Sequence, residues 1–287
     1  MSTPENSIVT PREARAELSV QAQSALVQKL RGGKNRRYGR FALAALSSIP
    51  WVGGVISAIA SFSAEKDQEG INDLQKLWME GHEEKIRELA DTLTDIFARL
   101  EGFGDEIQER IESPTYLALV REAFRSWDQA DTQEKKQMLK TLITNAAAIK
   151  LCPDDLVRLF IHWIDQYHET HFMVIKEIYR APGSTRGQIW DRIRGPRTRE
   201  DSAEADLFRY LIRDLSVGGV IRQERETNAY GQFLKKDTRG QSHASSTRVM
   251  ESAFEETKPY ELTELGRQFI HYVTTDVVPR ISGGNQQ

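Results

Sequence analysis

The chain has 287 residues, of which 28% are charged and 39% hydrophobic, and its formal net charge is −3 at pH 7. This composition is typical of a soluble protein of one or two domains, and the near-neutral charge gives no global case for nucleic-acid binding. Cys152 is the single cysteine, which excludes a disulfide framework and an all-cysteine metal site and favours a reducing, intracellular setting.

Residues 1–40 start polar and become basic. They hold eight Lys and Arg residues against three Glu residues. The first dozen residues lack periodicity, which is typical of disorder. Residues 13–30 space their apolar side chains as in a short helix, which Gly32 and Gly33 would end. We therefore predict a polar and basic N-terminal segment over residues 1–40.

An uncharged run of 22 residues follows, from Phe41 to Phe62. A helix that crosses a bilayer core needs about 20 such residues, and the basic cluster before this run would leave the N-terminus in the cytoplasm. Pro50 through Gly54 could instead turn the chain and give a buried hairpin of two short helices. Both interpretations remain open. The first predicts membrane contacts by Arg36, Arg37, Arg40, Phe41, Leu43, Leu46, Ile49, Pro50, Trp51, Gly53, Gly54, Ile56, Ile59 and Phe62.

Residues 64–111 predict a long acidic helix. Asp and Glu number fifteen against six Lys and Arg over residues 64–112, and apolar residues recur every three or four positions. Gly102 and Gly104 are expected to kink or break the helix. Its acidic face could hold the basic residues 31–40 by charge complementarity. Its apolar stripe should pack on a helix of the same chain or of a second copy; the oligomerisation candidates are Leu89, Leu93, Ile96 and Leu100.

Three helix starts follow in the sequence. Ser113 and Pro114 have the pattern of a cap and a first helical residue. Asp131 with Glu134 resembles a capping box, and residues 153–155 open a further helix. The fold class predicted for residues 41–167 is therefore a mainly α, irregular helical bundle that contains the apolar segment and the acidic helix.

The C-terminal part has a different pattern. Three helices, a strand at residues 220–223, a polar loop at residues 231–256, a strand at residues 260–263 and a last helix follow one another. This order, with the pieces LIRDLSVGGVIRQ and YELTELGRQFIHYV, resembles a winged-helix domain over residues 168–275, which leaves residues 276–287 as a tail. The resemblance implies an α+β fold, but winged helices bind DNA, RNA or proteins.

The third helix of this domain, residues 201–218, is the one that would enter the major groove of DNA. It carries four acidic and two basic residues, which is a handicap because contacts to phosphates supply much of the affinity. A protein-facing module is therefore favoured. Weak binding to nucleic acid would use the basic residues on its flanks, which are Arg192, Arg194, Arg197, Arg199, Lys235 and Lys236.

No catalytic constellation emerges from the sequence. The piece HWIDQYHETH places His162, Asp165 and Glu169 at helical spacing beside His168 and His171, but it lacks a metal-ligand motif. No phosphate-binding loop is present, and we predict no catalytic residues, metal, cofactor or small-molecule substrate.

These features together predict a non-enzymatic effector or signalling protein. Its apolar segment would act on membranes under some condition, controlled by a C-terminal sensor or partner-binding module. The arrangement over residues 36–111 resembles that of bacterial stress or phage-defence effectors that hold a glycine-containing apolar segment in reserve. We expect a cytoplasmic location, with the inner membrane reached on activation, and a protein partner or self-association. The alternatives are a soluble dimeric transcription regulator and a cytoplasmic adaptor.

Overall fold

In the computed structural model of the chain, the structure describes residues 36–52, 83–148, 152–224 and 252–274. These residues are mainly helical and include one two-stranded antiparallel sheet, as the sequence predicts. The chain forms two compact units. Of the described residues, the first unit holds those up to Asp165 together with the last two of the final helix, Val273 and Thr274, and the second holds those from Gln166 to Tyr272.

The first unit is a bundle of helices. After a 3-10 turn at Arg36–Tyr38, the described helices are α1 (Gly39–Ser48), α2 (Glu83–Gly102), α3 (Gln108–Glu112), α4 (Pro114–Gln129), α5 (Gln133–Ala148) and α6 (Asp154–Gln166). Helix α4 is at the centre, since it packs against α1, α3 and α5, while α2 packs against α5.

Local signals explain where these helices begin. The Ser113 hydroxyl accepts a hydrogen bond from the backbone N–H of Tyr116 at 3.3 Å, and Pro114 is the first residue of α4, as predicted. Helix α5 begins at Gln133, close to the predicted capping box of Asp131 and Glu134. The Thr132 hydroxyl accepts the backbone N–H of Lys135 at 3.3 Å. Asp131 forms an ion pair of 3.1 Å with the Lys135 ammonium.

The long acidic helix predicted over residues 64–111 is not continuous. Helix α2 ends at Gly102, and Gly104 has a φ of +73°, a conformation that glycine adopts without strain. The chain becomes helical again only at Gln108. The glycine break was expected, and residues 64–82 lie outside the described residues.

The apolar stripe of α2 belongs to the core of the first unit. All four oligomerisation candidates are at most 2% exposed: Leu89, Leu93, Ile96 and Leu100. Phe97 stacks on Tyr38 with ring centroids 4.9 Å apart, and its ring edge meets Phe41 at 5.7 Å. The stripe therefore packs within the same chain, and pairing with a second copy through it would require these side chains to leave the core.

The second unit has the predicted order of helices and strands. Its elements are α7 (Glu169–Arg180), α8 (Arg186–Ile193), α9 (Ala203–Val217), β1 (Ile221–Gln223), β2 (Tyr260–Leu262) and α10 (Glu264–Thr274). The strands pair antiparallel with Arg222 opposite Glu261. Thr185 and Ser202 cap α8 and α9 with their side chains. Helix α7 packs against α8, α9 and β2, so it lies at the centre of this unit.

Candidate functional site

Large apolar side chains lie on the outward face of α9. Leu207 is 47% exposed, Tyr210 56% and Val217 81%. Ala203 and Asp214 share the same alternating spacing of three and four residues, so the five residues form one stripe along the helix. We call this stripe the α9 face. The opposite side of the helix is buried in the unit through Ala205, Phe208, Leu211, Ile212 and Leu215.

This exposure is unusual because three large apolar residues share one face. A single exposed leucine or valine needs no explanation, but Leu207 and Tyr210 are neighbours on this face and Val217 follows beyond Asp214, within about three turns of one helix. Patches of this kind on a folded chain are typical of binding surfaces. The α9 face is therefore the strongest candidate site among the described residues.

Acidic groups and one accessible arginine border the α9 face. Glu204 and Asp206 are exposed in the first turn of α9, where the helix dipole favours carboxylates. Arg209 is 17% exposed and turns back along the helix, since its Nη1 lies 2.7 Å from Asp206. Its Nη2 donates to the backbone oxygen of Glu200 at 3.0 Å. Arg213 is exposed and forms no ion pair with any residue that the structure describes.

Most of the predicted phosphate-binding arginines are paired with carboxylates of the same unit. Arg192 donates to Glu177 at 2.8 Å. Arg197 binds Asp191 through two hydrogen bonds of 3.1 and 3.0 Å. Arg199 binds Asp201 in the same way at 3.0 and 2.7 Å. Arg194 is exposed and has no ion-pair partner in the described parts of the chain. Lys235 and Lys236 lie outside the described residues.

Hydrogen bonds to the carboxyl groups of this region favour their ionised forms. Hydrogen bonds from Arg197 hold the pKa of the Asp191 carboxyl below its ordinary value. Burial alone would raise the pKa of Glu200. The hydrogen bonds that it accepts from the Ser252 hydroxyl, the Ala253 N–H and Arg209 more than offset burial, so its pKa is lowered. Because these pairs are exposed to water, each contributes little to stability.

Residues 252–258 pack against α8 just before β2. The Phe254 ring meets Trp190 edge to face at 5.1 Å, and the Arg197 guanidinium lies 6.0 Å from the Phe254 centroid. Gly187 makes the approach of this segment to α8 possible, because a Cβ there would lie 3.0 Å from the backbone oxygen of Phe254. The sequence placed residues 231–256 in one polar loop and missed this contact. The pair Ala253–Phe254, apolar among charged residues, was the signal available.

A buried histidine lies behind the α9 face and beside Asp214 of that face. His171 is 2% exposed, and its Nε2 lies 3.3 Å from Asp214 Oδ2 without the alignment of a hydrogen bond. Its Nδ1 accepts the backbone N–H of His168 at 3.1 Å, which places the proton of the neutral ring on Nε2. The ring also stacks on Tyr167 at 4.9 Å. Burial lowers the pKa of His171, and the Asp214 carboxylate counteracts only part of this effect.

Tyr167 belongs to the same cluster. Burial raises its pKa to about 12, and the nearby Asp214 carboxylate acts in the same direction. The cluster can thus hold a neutral imidazole beside a carboxylate, but His171 is too buried to reach a substrate. The sequence singled out His171 without its partner, since Asp214 lies 43 positions further along the chain.

The metal-ligand pattern considered in the sequence is divided between two helices. His162 and Asp165 are exposed on α6, whereas Glu169 begins α7 after a break at residues 167–168. Among the described residues, no group of three His, Cys, Asp or Glu side chains could hold a metal ion.

Twelve of the fourteen predicted membrane-contacting residues fall into three groups, and Arg37 and Trp51 are half-buried. Phe41, Leu46 and Ile49 are buried in the first unit. Leu43 is 40% exposed, and Arg40 and Pro50 are also exposed. The side chain of Arg36 and the residues Gly53, Gly54, Ile56, Ile59 and Phe62 lie outside the described residues.

The apolar run leaves the helical conformation at Ile49, immediately before Pro50, and residues 50–52 are helical again. Trp51 donates its indole N–H to Asp128 at 2.6 Å. Arg37 contacts Asp105 at 2.9 Å, so the expected attraction between the basic and acidic segments is seen at this residue. Within the described ranges, no helix combines the length and the apolar character that a membrane crossing requires.

Comparison of the chain with protein-family models, with curated proteins and with solved structures gives no match.

Proposed function

We propose that the chain is a non-enzymatic effector or signalling protein whose second unit is a winged-helix module that binds a protein partner through the α9 face. One observation carries this proposal: the helix that would read DNA in such a module exposes three large apolar side chains, Leu207, Tyr210 and Val217, and has one exposed arginine, Arg213. Aromatic residues are enriched in protein interfaces, and an apolar helix face fits the groove or helix of another protein.

The charge of the second unit supports a protein partner over DNA. The sequence of this unit, residues 166–272, holds sixteen Asp and Glu against seventeen Lys and Arg, so it is nearly neutral. Arg192, Arg197 and Arg199 are already engaged by carboxylates. A DNA-binding surface needs a net positive stripe, because affinity comes largely from the release of counterions by Lys and Arg.

Capture of partner proteins by the tagged full-length chain in its native cells tests the proposal. Tyr210→Glu places a charge in the α9 face, and Tyr179→Glu is a matched control because Tyr179 is 54% exposed on α7. We expect Tyr210→Glu to abolish capture of at least one protein that the wild type and Tyr179→Glu retain. Identical sets of captured proteins from all three chains would contradict the proposal.

The alternative is a dimeric winged-helix transcription regulator. Arg194 and Arg213 favour it, since both are exposed and lack an ion pair in the described parts of the chain. Two phosphate contacts would give a slope of about −2 for the logarithm of the DNA association constant against the logarithm of salt concentration. We expect weak, non-selective binding with a slope of this size in a fluorescence titration. Nanomolar, sequence-selective binding at physiological salt would establish the regulator instead.

A membrane activity of the apolar segment is the second part of the proposal. It is supported by the uncharged run from Phe41 to Phe62 and by the basic cluster before it. Since Phe41 and Leu46 are buried, contact with a bilayer requires their release from the core. We therefore propose a protein held in the cytoplasm that reaches the inner membrane on activation, as in a bacterial defence response. A cytoplasmic adaptor would bind its partner without this release.

Leakage of anionic liposomes tests the membrane activity. A charge near the centre of an inserted helix costs about 2.5–3.5 kcal/mol, so Gly53→Asp should abolish leakage. We expect this variant to remain folded in solution. Gly102→Asp is the matched control, because a Cβ at Gly102 meets no atom within 4 Å. A wild-type protein that neither binds anionic liposomes nor slows growth on overexpression would contradict this part of the proposal.

A further inference from the structure

The α9 face is not only apolar but also self-complementary. Ala203, Leu207, Tyr210, Asp214 and Val217 follow the alternating spacing of four and three residues that lets two helices pack along a seam. Asp206 and Arg213 border this seam on the same edge, seven residues apart. Two antiparallel copies of a helix bring like edges together, so Asp206 of each copy would lie beside Arg213 of the other.

We infer that the partner of the α9 face is the same face of a second copy of this chain, packed antiparallel about a two-fold axis. This inference rests on the proposed function, since it names the partner of the same site. A two-fold interface uses one patch on both subunits, which requires the patch to complement itself. The pairing of Asp206 with Arg213 meets this requirement in charge, and Leu207 against Tyr210 of the second copy meets it in apolar contact.

The position of Asp214 in the seam is compatible with antiparallel packing. With Leu207 opposite Tyr210 of the second copy, Asp214 lies opposite Ala203, the first residue of α9. Its carboxylate is turned into its own unit, 3.3 Å from His171 Nε2, so it places no exposed charge against the second copy. Arg213 is free to cross to the other copy, since it forms no ion pair in the described parts of its own chain. Asp206 is 64% exposed at its side chain even though it contacts Arg209.

The size of the patch sets the strength of the contact. Three side chains exposed to this extent offer about 300 Å² of apolar surface per copy, at the lower limit of functional patches on monomers. A standard stable interface buries about 800 Å² per partner. The expected state is therefore a reversible dimer with a dissociation constant in the micromolar range, which forms where the protein is concentrated locally.

Analytical ultracentrifugation of the full-length chain over a wide concentration range tests the inference. We expect a monomer–dimer equilibrium in the wild type and a dissociation constant raised at least tenfold in Tyr210→Glu. Tyr179→Glu should stay within twofold of the wild type, because Tyr179 lies on α7. Circular dichroism melting shows whether each variant is folded, and Tyr210→Ser serves as a second variant if Tyr210→Glu does not fold.

A charge exchange separates direct pairing from a general loss of apolar surface. Arg213→Asp and Asp206→Arg should each weaken self-association, because like charges then face each other. An equimolar mixture of the two should restore association to within threefold of the wild type, since each copy supplies the charge that the other lacks. A mixture no stronger than its components would overturn the antiparallel pairing.

The same measurements distinguish failure of the inference from failure of the proposed function. A chain that stays monomeric at every concentration, with Tyr210→Glu still losing capture of a different protein, overturns the inference and leaves the proposed function standing. A monomeric chain whose captured proteins are unchanged by Tyr210→Glu overturns both.

Discussion

Leu43→Ala and Leu46→Ala, two single substitutions in α1, should lower the free energy of unfolding by very different amounts. Leu43 and Leu46 lie three residues apart in the same uncharged run and have the same side chain. Leu46 is fully buried, whereas Leu43 is 40% exposed. If the first half of this run is core, Leu46→Ala must leave a cavity that Leu43→Ala does not leave.

The expected magnitudes follow from burial. Leu46→Ala should lower the free energy of unfolding by about 2–5 kcal/mol, because the lost transfer energy and the cavity add together. Leu43→Ala should cost less than about 1 kcal/mol, since much of its surface is already in water. With a denaturant slope of about 2 kcal/mol per molar urea, the Leu46→Ala midpoint should fall by about 1–2.5 M.

Urea unfolding monitored by circular dichroism and tryptophan fluorescence measures both variants. Because the chain has two compact units, the two probes need to be compared before a single transition is fitted. Equal and small shifts for the two leucines would refute the packing of α1 in the core. An interpretation in which the run is free to enter a membrane without unfolding of the core would then gain support.

Two further predictions concern the core of each unit. Lysines at Leu93 and Leu100 should abolish cooperative folding of the first unit, whereas Ala98→Lys, at an exposed position of α2, should leave the melting temperature nearly unchanged. Burial lowers the pKa of His171 in the folded protein. As the pH falls below about 6.5, the unfolded state therefore takes up a proton before the folded state does. The free energy of unfolding of the second unit should decrease over this range, down to the pKa of His171 in the folded state. His171→Asn should reduce the change of melting temperature with pH, whereas the control His162→Asn, at an exposed position, should leave it unchanged. Equal slopes of melting temperature against pH in the two variants would contradict the assignment to His171.

Local features of the fold could be predicted because their causes are local in sequence. A serine before a proline begins α4, since a hydroxyl needs only the next few backbone N–H groups to act as a cap. The break near Gly102 follows from the same kind of local signal. The start of α5 shows the limit of such signals, because Thr132, next to the predicted Asp131, also accepts a backbone N–H of the first turn.

Contacts between distant segments could not be predicted in this way. Apolar residues occur on both sides of α9, so periodicity could not tell that Leu211 faces the core while Tyr210 faces solvent. The pairing of Arg197 with Asp191, and of His171 with Asp214, depends on how turns bring helices together. A count of charges along the chain therefore overestimated how many arginines are free to meet a phosphate.

Photo-crosslinking in living cells tests the central claim, that the α9 face binds protein, most directly. A photoreactive phenylalanine analogue replaces Leu207, and the same analogue at Tyr179 is the control. The proposed function predicts protein adducts from position 207 that are absent from position 179, including an adduct of twice the chain's mass if the partner is a second copy. Adducts to nucleic acid from position 207, or the same protein adducts from both positions, would contradict it.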